Sequence, residues 1–400
     1  MNKGMHVLGT VQVGSHLETY ERVESVFEDR KIDFTLTLVD LVEWTKWNAI
    51  DTSYHGKAER YALRPTDWDV HQDSPMLNEK IVQHAEQFLS SHKPSIVLTL
   101  SDKSIPDLAL LRAADRLQIP SLLIQEGPRR DMLPSVRDAL PFSTLLEPIK
   151  GVWRRVNWWF GTGRYRFPLY GGGGSNRIAV ASSFYEDLFR RGGIALDRIE
   201  VTGIPRFDNL VGLREKGVPS NDRSPRVLIA SQPFARYGVL SHSEQDSLQK
   251  SLADAVNQFA TSVSLDLSLR LHPSEDLSDV AVLRESLDVS FQIDEAEGCP
   301  YEVLPKYDLL IGYCSTIQLE AVAAGVPSVR WGSKEIDCFF DETVSLPVAC
   351  TSSEFVEECK KVLRDPEAAC NVEGLERETG RLDGKSAERV VDLITDLAVN

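Results

Sequence analysis

Strand-like apolar runs alternate with helical patterns along nearly the whole chain, and this order restricts the fold more than any other feature. The first pair is the apolar run 5–13, which ends in a glycine loop, followed by the helical pattern 17–29. Parallel strands need a crossover connection between them, so a repeated strand–helix–strand order favours parallel sheets with helices on both faces. We therefore expect an α/β fold.

The predicted elements form two series on either side of a polar stretch. Residues 212–225 contain Gly and two Pro and lack a periodic apolar pattern, which is typical of an interdomain linker. We predict an N-terminal domain over 1–215, a linker over 216–225 and a second domain over 226–378. A C-terminal helix over 379–400 could cross back to the N-terminal domain.

Periodicity gives the elements within each series. The predicted strands are 5–13, 34–38, 95–100, 121–125, 178–181, 199–202, 226–230, 265–271 and 307–312. The predicted helices are 17–29, 75–91, 108–117, 184–191, 244–261, 277–286, 316–324 and a last helix that begins near Ser386. Two open parallel sheets of this kind are expected to face a central cleft with the carboxyl ends of their strands.

Composition excludes several classes of protein. The chain has 400 residues and a formal net charge of -16, which argues against general nucleic-acid binding, since that needs a basic surface. No stretch approaches the roughly 18–20 apolar residues of a membrane span. The six Cys include no CxxC pair, so we expect reduced, packed thiols in a cytoplasmic protein, with no metal and no cofactor.

Residues 307–331 (YDLLIGYCSTIQLEAVAAGVPSVRW) indicate a strand, a short helix and a second strand. Ser315 and Thr316 open the helix, whose free N–H groups and positive dipole end suit a phosphate. Glu320 lies one turn deeper on the same face, where it would reach a ribose. The alternative is an ordinary Ser/Thr cap followed by a common helix stop.

The run Arg270-Leu271-His272-Pro273 ends another predicted strand. Period two places Arg270 and His272 on one face, and Pro273 stops the strand so that the imidazole lies at its tip. A cation with an imidazole suits a departing nucleotide phosphate. Ser231, after the preceding strand, is predicted to lie in a loop that crosses the same phosphates. The alternative for His272 is a structural role in capping a turn.

Several charged residues follow predicted strands of the first series. Glu126 comes directly after the apolar run 121–125, where a carboxylate can act as general base toward an acceptor hydroxyl, or can be a solvated loop residue. Arg129 follows at once and could bind an anionic substrate. His16 follows the first glycine loop, where it could be a second catalytic residue, a contact to the acceptor or an ordinary loop histidine.

Two further features are open to more than one interpretation. Arg206 could contact phosphate with Asp208 to orient it, or the two could form a structural pair. The stretch Lys150–Tyr170 has five basic residues, seven aromatic residues and no acidic one. That composition suits a membrane surface, a lipid-linked acceptor or an anionic glycan, and it also fits a buried helical excursion with Arg flanks.

Taken in order, these motifs resemble GT-B glycosyltransferases, in particular the bacterial group with capsule sialyl- and Kdo-transferases and CDP-glycerol polymer transferases. The resemblance covers roughly residues 90–335. In that group the first motif supplies the acid/base residue and the His-Pro motif contacts the nucleotide phosphate, which implies these roles for Glu126 and His272. The motifs are Gln125-Glu126-Gly127, Gly203-Ile204-Pro205-Arg206-Phe207-Asp208, Arg270-Leu271-His272-Pro273, Ser315-Thr316 with Glu320, and Gly325-Val326-Pro327.

The chain also departs from that group. The sialyltransferase motif has two acidic residues where this chain has Gln125 and Glu126, and the glycerophosphate transferases have His where Glu126 stands. The usual Ser-Ser pair, which binds phosphate in the group, is Ser315-Thr316 here. The resemblance therefore implies a nucleotide-sugar donor, CMP- or UDP-linked, without fixing which.

The resulting expectation is a metal-independent GT-B enzyme that transfers a sugar to a surface-glycan or lipid-linked acceptor. It would act in the cytoplasm, with peripheral contact to the inner membrane face through Lys150–Tyr170 as an option. One alternative is the UDP-GlcNAc 2-epimerase family, which usually has an acidic-Ser-Gly-Gly turn where this chain has Tyr-Cys-Ser-Thr. The other is a non-catalytic nucleotide- or glycan-binding protein.

Overall fold

The computed structural model describes most of the chain in two compact units. The first unit comprises Met1–Arg206 and Lys385–Asn400, and the second comprises Phe207–Gly384. Each unit contains one fully parallel sheet. The described residues are 4–45, 56–70, 77–128, 170–211, 213, 223–294, 300–332, 336, 338–340 and 342–399.

The sheet of the first unit has seven strands in the order β3-β2-β1-β4-β5-β6-β7. The strand order changes direction between β1 and β4, and ligands of open α/β sheets bind beside such a point at the carboxyl ends of the strands. The strands are β1 (Met5–Val11), β2 (Phe34–Asp40), β3 (Glu59–Ala62), β4 (Ile96–Thr99), β5 (Ser121–Ile124), β6 (Arg177–Val180) and β7 (Ile199–Val201).

Helices cover both faces of this sheet. One face packs on α1 and α14 through fully buried residues such as Tyr20, Val390 and Ile394, and the other packs on α3 and α4 through residues such as Leu89 and Ala109. The last helix therefore belongs to the core of the first unit. The helices of this unit are α1 (Gly14–Asp29), α2 (Val42–Thr45), α3 (Glu79–His92), α4 (Ile105–Arg116), α5 (Ser183–Arg191) and α14 (Ser386–Val399).

The sheet of the second unit has six strands in the order β10-β9-β8-β11-β12-β13. Its central strands are short, continuous apolar runs because both faces are covered by helices. The strands are β8 (Arg226–Ala230), β9 (Asp266–Arg270), β10 (Phe291–Asp294), β11 (Leu309–Gly312), β12 (Ser328–Trp331) and β13 (Val348–Ala349). The helices are α6 (Asp208–Val211), α7 (His242–Ala260), α8 (Ala281–Ser286), α9 (Pro300–Val303), α10 (Thr316–Ala323), α11 (Ser352–Arg364), α12 (Pro366–Cys370) and α13 (Leu375–Thr379).

The predicted α/β class with two parallel sheets is confirmed. Among the described residues, three strands and six helices were not predicted, namely β3, β10, β13, α2, α6, α9, α11, α12 and α13. The helix predicted over 277–286 begins only at Ala281, because the Asp276 side chain accepts the amide N–H of Ser278 at 2.8 Å and holds a turn there. No helix in the described part of the chain is long and apolar enough to cross a membrane.

Gly203 allows the turn after β7 to pack closely against the start of α14. Its φ is 86°, and a Cβ added there would meet the hydroxyl of Ser386 and lie 2.9 Å from the Ser386 Cβ. Gly203→Ala should therefore lower the free energy of unfolding by about 2–3 kcal/mol, from left-handed strain and overpacking together. Urea denaturation would measure the loss.

Gly174 supplies the matched control for this prediction. Its φ of 102° imposes similar strain, but a Cβ there would meet no atom within 4 Å. Gly174→Ala should cost only about 1 kcal/mol. If both variants lost the same free energy of unfolding, the contact between the added Cβ and Ser386 would make no contribution to the loss.

Candidate functional site

Polar residues of the second unit gather where its central strands end. Ser231 follows β8, His272 follows β9 by one residue, and Ser315 follows β11 after a short turn. In a parallel sheet these ends lie at one edge, and β8 stands between β9 and β11 in this sheet. The sheet thus brings three of the residues singled out in the sequence to the same edge.

Hydrogen bonds tie the His272 loop to the end of β8. The Ser231 hydroxyl lies 3.0 Å from the carbonyl oxygen of Arg270, and it also bonds to a carboxylate oxygen of Glu275. The amide N–H of His272 donates to Ser231 Oγ at 3.2 Å and to Glu275 Oε2 at 2.8 Å. Ser231 is buried, so this loop is held on a rigid strand end.

The imidazole of His272 is neutral across the physiological range. Burial and, to a smaller extent, the nearby positive charge of Arg236 together lower its pKa to about 4. Its Nδ1 accepts the amide N–H of Ser274 at 3.2 Å. The ring is therefore suited to bind a phosphate oxygen as a neutral hydrogen-bond donor, without adding a positive charge.

The two cations of this edge have different surroundings. Arg270 is buried and donates to both carboxylate oxygens of Asp294, at 3.0 and 3.1 Å, so its charge is balanced by β10. Arg236 was not singled out from the sequence. It is 42% exposed as a side chain and pairs with Asp279 at 2.6 Å. The sequence feature that could have indicated Arg236 is its position just after Ser231-Gln232-Pro233, in the loop that follows β8.

The start of α10 is only partly open to a ligand. The amide N–H of Ser315 donates to Gln318 Oε1 at 3.4 Å, and that of Cys314 donates to Gln232 Oε1 at 3.2 Å. The Thr316 hydroxyl makes no hydrogen bond with any described residue, so it remains available. Glu320 is 3% exposed, which is a deeper position than the sequence pattern suggested.

Two buried oxygen atoms beside the His272 loop have no hydrogen-bond partner among the described residues. They are the hydroxyl of Tyr313, which follows β11, and Oε1 of Glu275. Burial raises the pKa of both groups, and the Glu275 charge further raises that of Tyr313. Buried polar atoms of this kind need a water or a ligand group, and neither residue was predicted from the sequence.

In the first unit the structure brings Glu126 together with Arg206 and Ser15. Glu126 follows β5, and its side chain is 14% exposed. The Arg206 Nε donates to the carbonyl oxygen of Glu126 at 2.7 Å and lies 3.7 Å from its carboxylate. The Ser15 hydroxyl donates to Glu126 Oε2 at 3.3 Å. Asp208 lies in the second compact unit, at the start of α6.

The remaining candidates of the first unit lie elsewhere or are not described. His16 is 2% exposed, and its Nδ1 accepts the amide N–H of Gln12 at 3.3 Å. Arg129 and residues 150–169 lie outside the described residues. Tyr170, the last residue of the aromatic stretch, is buried, and its hydroxyl lies 3.2 Å from the Leu100 carbonyl oxygen.

The glycine tract 171–174 has a structural explanation. Asp102, which follows β4, is fully buried and accepts the amide N–H groups of Gly171 at 3.1 Å and Gly173 at 2.7 Å. A Cβ at Gly173 would lie 2.6 Å from the Asp102 Cβ, so a larger residue does not fit. Within the described residues, no group of three or more His, Cys, Asp or Glu side chains could hold a metal ion.

Asp107 is a fully buried carboxyl near the end of β1. It accepts from Thr10 Oγ1 at 2.8 Å and from Ser104 Oγ at 2.6 Å, while burial raises its pKa from 3.8 to about 7. The folded chain holds a proton that the unfolded chain releases near pH 4. The stability linked to this proton is complete below pH 4 and is lost as the pH rises to 7.

Asp107→Asn should remove this dependence on pH. Between pH 5 and 7 the wild type should lose stability by on the order of 1 kcal/mol per pH unit through this group, and the variant should show a flatter profile. Urea unfolding at pH 5, 6 and 7 would measure both. An unchanged slope in the variant would assign the titration to another group.

Known structures share this architecture at low sequence identity. UDP-GlcNAc 2-epimerase from Neisseria meningitidis bound to UDP-GlcNAc has a TM-score of 0.64 and 14% identity, covering 98% of this chain and 100% of that chain. A glycosyltransferase from Rickettsia africae has a TM-score of 0.55 and 14% identity, covering 100% of each chain. MurG from Acinetobacter baumannii has a TM-score of 0.50 and 13% identity, covering 98% of this chain and 99% of that chain.

These similarities show the fold. All three are proteins of the GT-B fold, and this chain has that fold. No protein-family model matches the chain, and no curated protein matches it either.

Proposed function

We propose that the protein is a glycosyltransferase that moves a sugar from a nucleotide-sugar donor to a glycan or lipid-linked acceptor. The observation that carries the proposal is the convergence of Ser231, His272 and Thr316 on one edge of a parallel sheet in a GT-B fold. A neutral imidazole donor, a free hydroxyl and a helix N-terminus together suit the phosphates of a nucleotide.

The proposal gives the second unit the donor and the first unit the acceptor. His272 donates a hydrogen bond to a phosphate oxygen, with Ser315 and Thr316 at the start of α10 as further contacts. Ser231 and Pro273 shape the loops around this phosphate. Arg270 supports the site through its ion pair with Asp294. The buried Glu320 remains the candidate for the ribose.

In the first unit, Glu126 is proposed as the general base that accepts the proton of the acceptor hydroxyl. Arg206 and Ser15 hold its main chain and its carboxylate, so the side chain is oriented before an acceptor arrives. Arg129, His16 and Asp208 remain candidate contacts to the acceptor or to phosphate. No metal has a role in this proposal.

The finer assignments rest on the sequence. The motif resemblance supports a surface polysaccharide such as a capsule as the acceptor. The six Cys, which include no CxxC pair, favour a cytoplasmic protein. The basic and aromatic composition of Lys150–Tyr170 supports contact with the inner membrane face. Tyr170 takes no part in that contact, because its side chain is buried in the core of the first unit.

A second candidate is a UDP-GlcNAc 2-epimerase activity. Structures of that enzyme from Neisseria meningitidis and Methanocaldococcus jannaschii have TM-scores of 0.64 and 0.61 with this chain. The solved complexes carry UDP-GlcNAc or UDP. The Tyr-Cys-Ser-Thr sequence at 313–316, where that family has an acidic-Ser-Gly-Gly turn, favours transfer over epimerisation.

One experiment separates the candidates. The melting temperature is measured with CMP, CDP, UDP and GDP, since a ligand that binds only the folded state raises it. The sugar donor of the stabilising nucleotide is then incubated without acceptor and followed by NMR. Epimerised sugar in that sample would favour the second candidate, whereas the proposal expects an unchanged sugar without acceptor and transfer when an acceptor glycan is added.

A further inference from the structure

Hydrogen bonds from three residues converge on Ser274, which lies two residues after His272. The Ser274 hydroxyl is 2.8 Å from His272 Nδ1, and its amide N–H donates to the same nitrogen at 3.2 Å. The Tyr237 hydroxyl lies 2.8 Å from Ser274 Oγ. The Arg236 guanidinium donates to the Ser274 carbonyl oxygen.

These bonds fix which imidazole nitrogen carries the proton. A backbone amide can only donate, so Nδ1 of His272 must be an acceptor and the neutral ring carries its proton on Nε2. The Ser274 hydroxyl is a second donor to Nδ1 when the Tyr237 hydroxyl donates to its oxygen. The Nε2 atom makes no hydrogen bond with the described residues.

We propose that Ser274 is a positioning residue that holds His272 as a neutral Nε2–H donor for an oxygen of a bound phosphate. Protonation of Nδ1 would set its new N–H against the amide N–H of Ser274, so the imidazolium form is disfavoured by geometry as well as by burial. The identity of the phosphate ligand rests on the proposed function, whereas the state of the ring does not.

The charged groups of the loops after β8 and β9 are consistent with a neutral ring. Arg236 comes from the loop after β8, and its positive charge opposes a second cation. Asp279 and Asp276 pair with that guanidinium at 2.6 and 3.8 Å, which keeps it beside the loop. The Glu275 carboxylate is bound by the His272 amide. The Tyr237 ring meets the imidazole edge-on, with centroids 6.0 Å apart.

The test uses the full chain labelled with 15N-histidine. The His272 signal among the eight His is assigned by its absence in His272→Gln, and the imidazole nitrogen shifts report the tautomer and the pKa. We expect an Nε2-protonated ring in the wild type. Ser274→Ala should raise the pKa of His272 by about one while the neutral ring stays protonated on Nε2, because the hydroxyl donor to Nδ1 is lost and the amide donor remains.

Two variants serve as controls for Ser274→Ala. Ser274→Thr keeps the hydroxyl and should restore the wild-type pKa of His272. Tyr237→Phe removes only the outer hydroxyl and should cause a smaller change in the same direction. A wild-type ring protonated on Nδ1, or a Ser274→Ala variant with the wild-type pKa of His272, would overturn the proposal.

Ligand binding gives a second readout. Affinities for UDP and for inorganic pyrophosphate are measured by calorimetry at pH 7.5. Ser274→Ala should weaken binding of at least one probe about three- to tenfold, and Ser274→Thr should not. If neither probe binds the wild type, the assigned ligand class is wrong, and the NMR result alone decides the role of Ser274.

Discussion

Replacing His272 with Ala is expected to lower kcat/KM for sugar transfer about 10²–10³-fold while the fold survives. The reason is that negative charge develops on the departing phosphate in the transition state, and a fixed donor at that oxygen is worth most there. The side chain is half-buried and its contacts with Ser274 and Tyr237 lie within surface loops, so its loss should change the melting temperature only modestly. Steady-state transfer assays and thermal melts measure the two effects.

His272→Gln is the informative control for that result. A glutamine can place a neutral N–H near the position of imidazole Nε2, and it cannot carry a positive charge. Because the pKa of His272 is about 4, we expect the Gln variant to retain clearly more activity than the Ala variant. A Gln variant as inactive as Ala would indicate proton donation by His272. Near-normal turnover in both variants would remove His272 from the mechanism.

The parts of the fold that the sequence predicted are those set by apolar periodicity. The central strands are continuous apolar runs, and their helices begin at capping residues, as α7 does at Ser241. The strands β3 and β10 were missed because Glu59–Ala62 and Phe291–Asp294 are short, lie at sheet edges and carry polar residues. Such strands form because a neighbouring strand offers a partner, which local pattern does not reveal.

The amphipathic helix α11 could have been predicted. Its Thr351 forms a capping box with Glu354, and this Ser/Thr-x-x-Glu spacing is visible in the sequence. Its buried residues Phe355, Cys359 and Val362 follow helical periodicity. Both the cap and the apolar periodicity of this helix are therefore encoded locally.

In the candidate site, the sequence predicted where residues lie in the sheet better than it predicted their hydrogen-bond and ion-pair partners. The apolar runs predicted where the strands end. The placement of Ser231 and His272 at one edge of the sheet then followed from its parallel topology. The sequence did not predict that Arg270 forms an ion pair with Asp294, because Asp294 lies on the unpredicted strand β10. The Gln232 side chain likewise reaches across to Cys314, and such long-range hydrogen bonds depend on packing that periodicity does not encode.

The second large effect is expected at Glu126. Glu126→Gln should lower kcat for transfer about 10²–10⁴-fold, because the amide cannot accept the proton of the acceptor hydroxyl. The amide oxygen can still accept the Ser15 hydroxyl, which donates to Oε2 at 3.3 Å, so the local structure should be kept. Nucleotide affinity should be unchanged, since the proposal assigns the donor to the second unit. Transfer assays and calorimetry with the nucleotide measure both expectations.

Ser15→Ala is the matched control for Glu126→Gln. It removes one hydrogen bond to the carboxylate but leaves the base and its contact with Arg206, so we expect a loss of no more than about tenfold. A Glu126→Gln variant that transfers sugar within tenfold of the wild type would exclude Glu126 as the base. A variant that loses nucleotide binding would instead show that this carboxylate acts on the donor, as a donor-only reaction such as epimerisation would require.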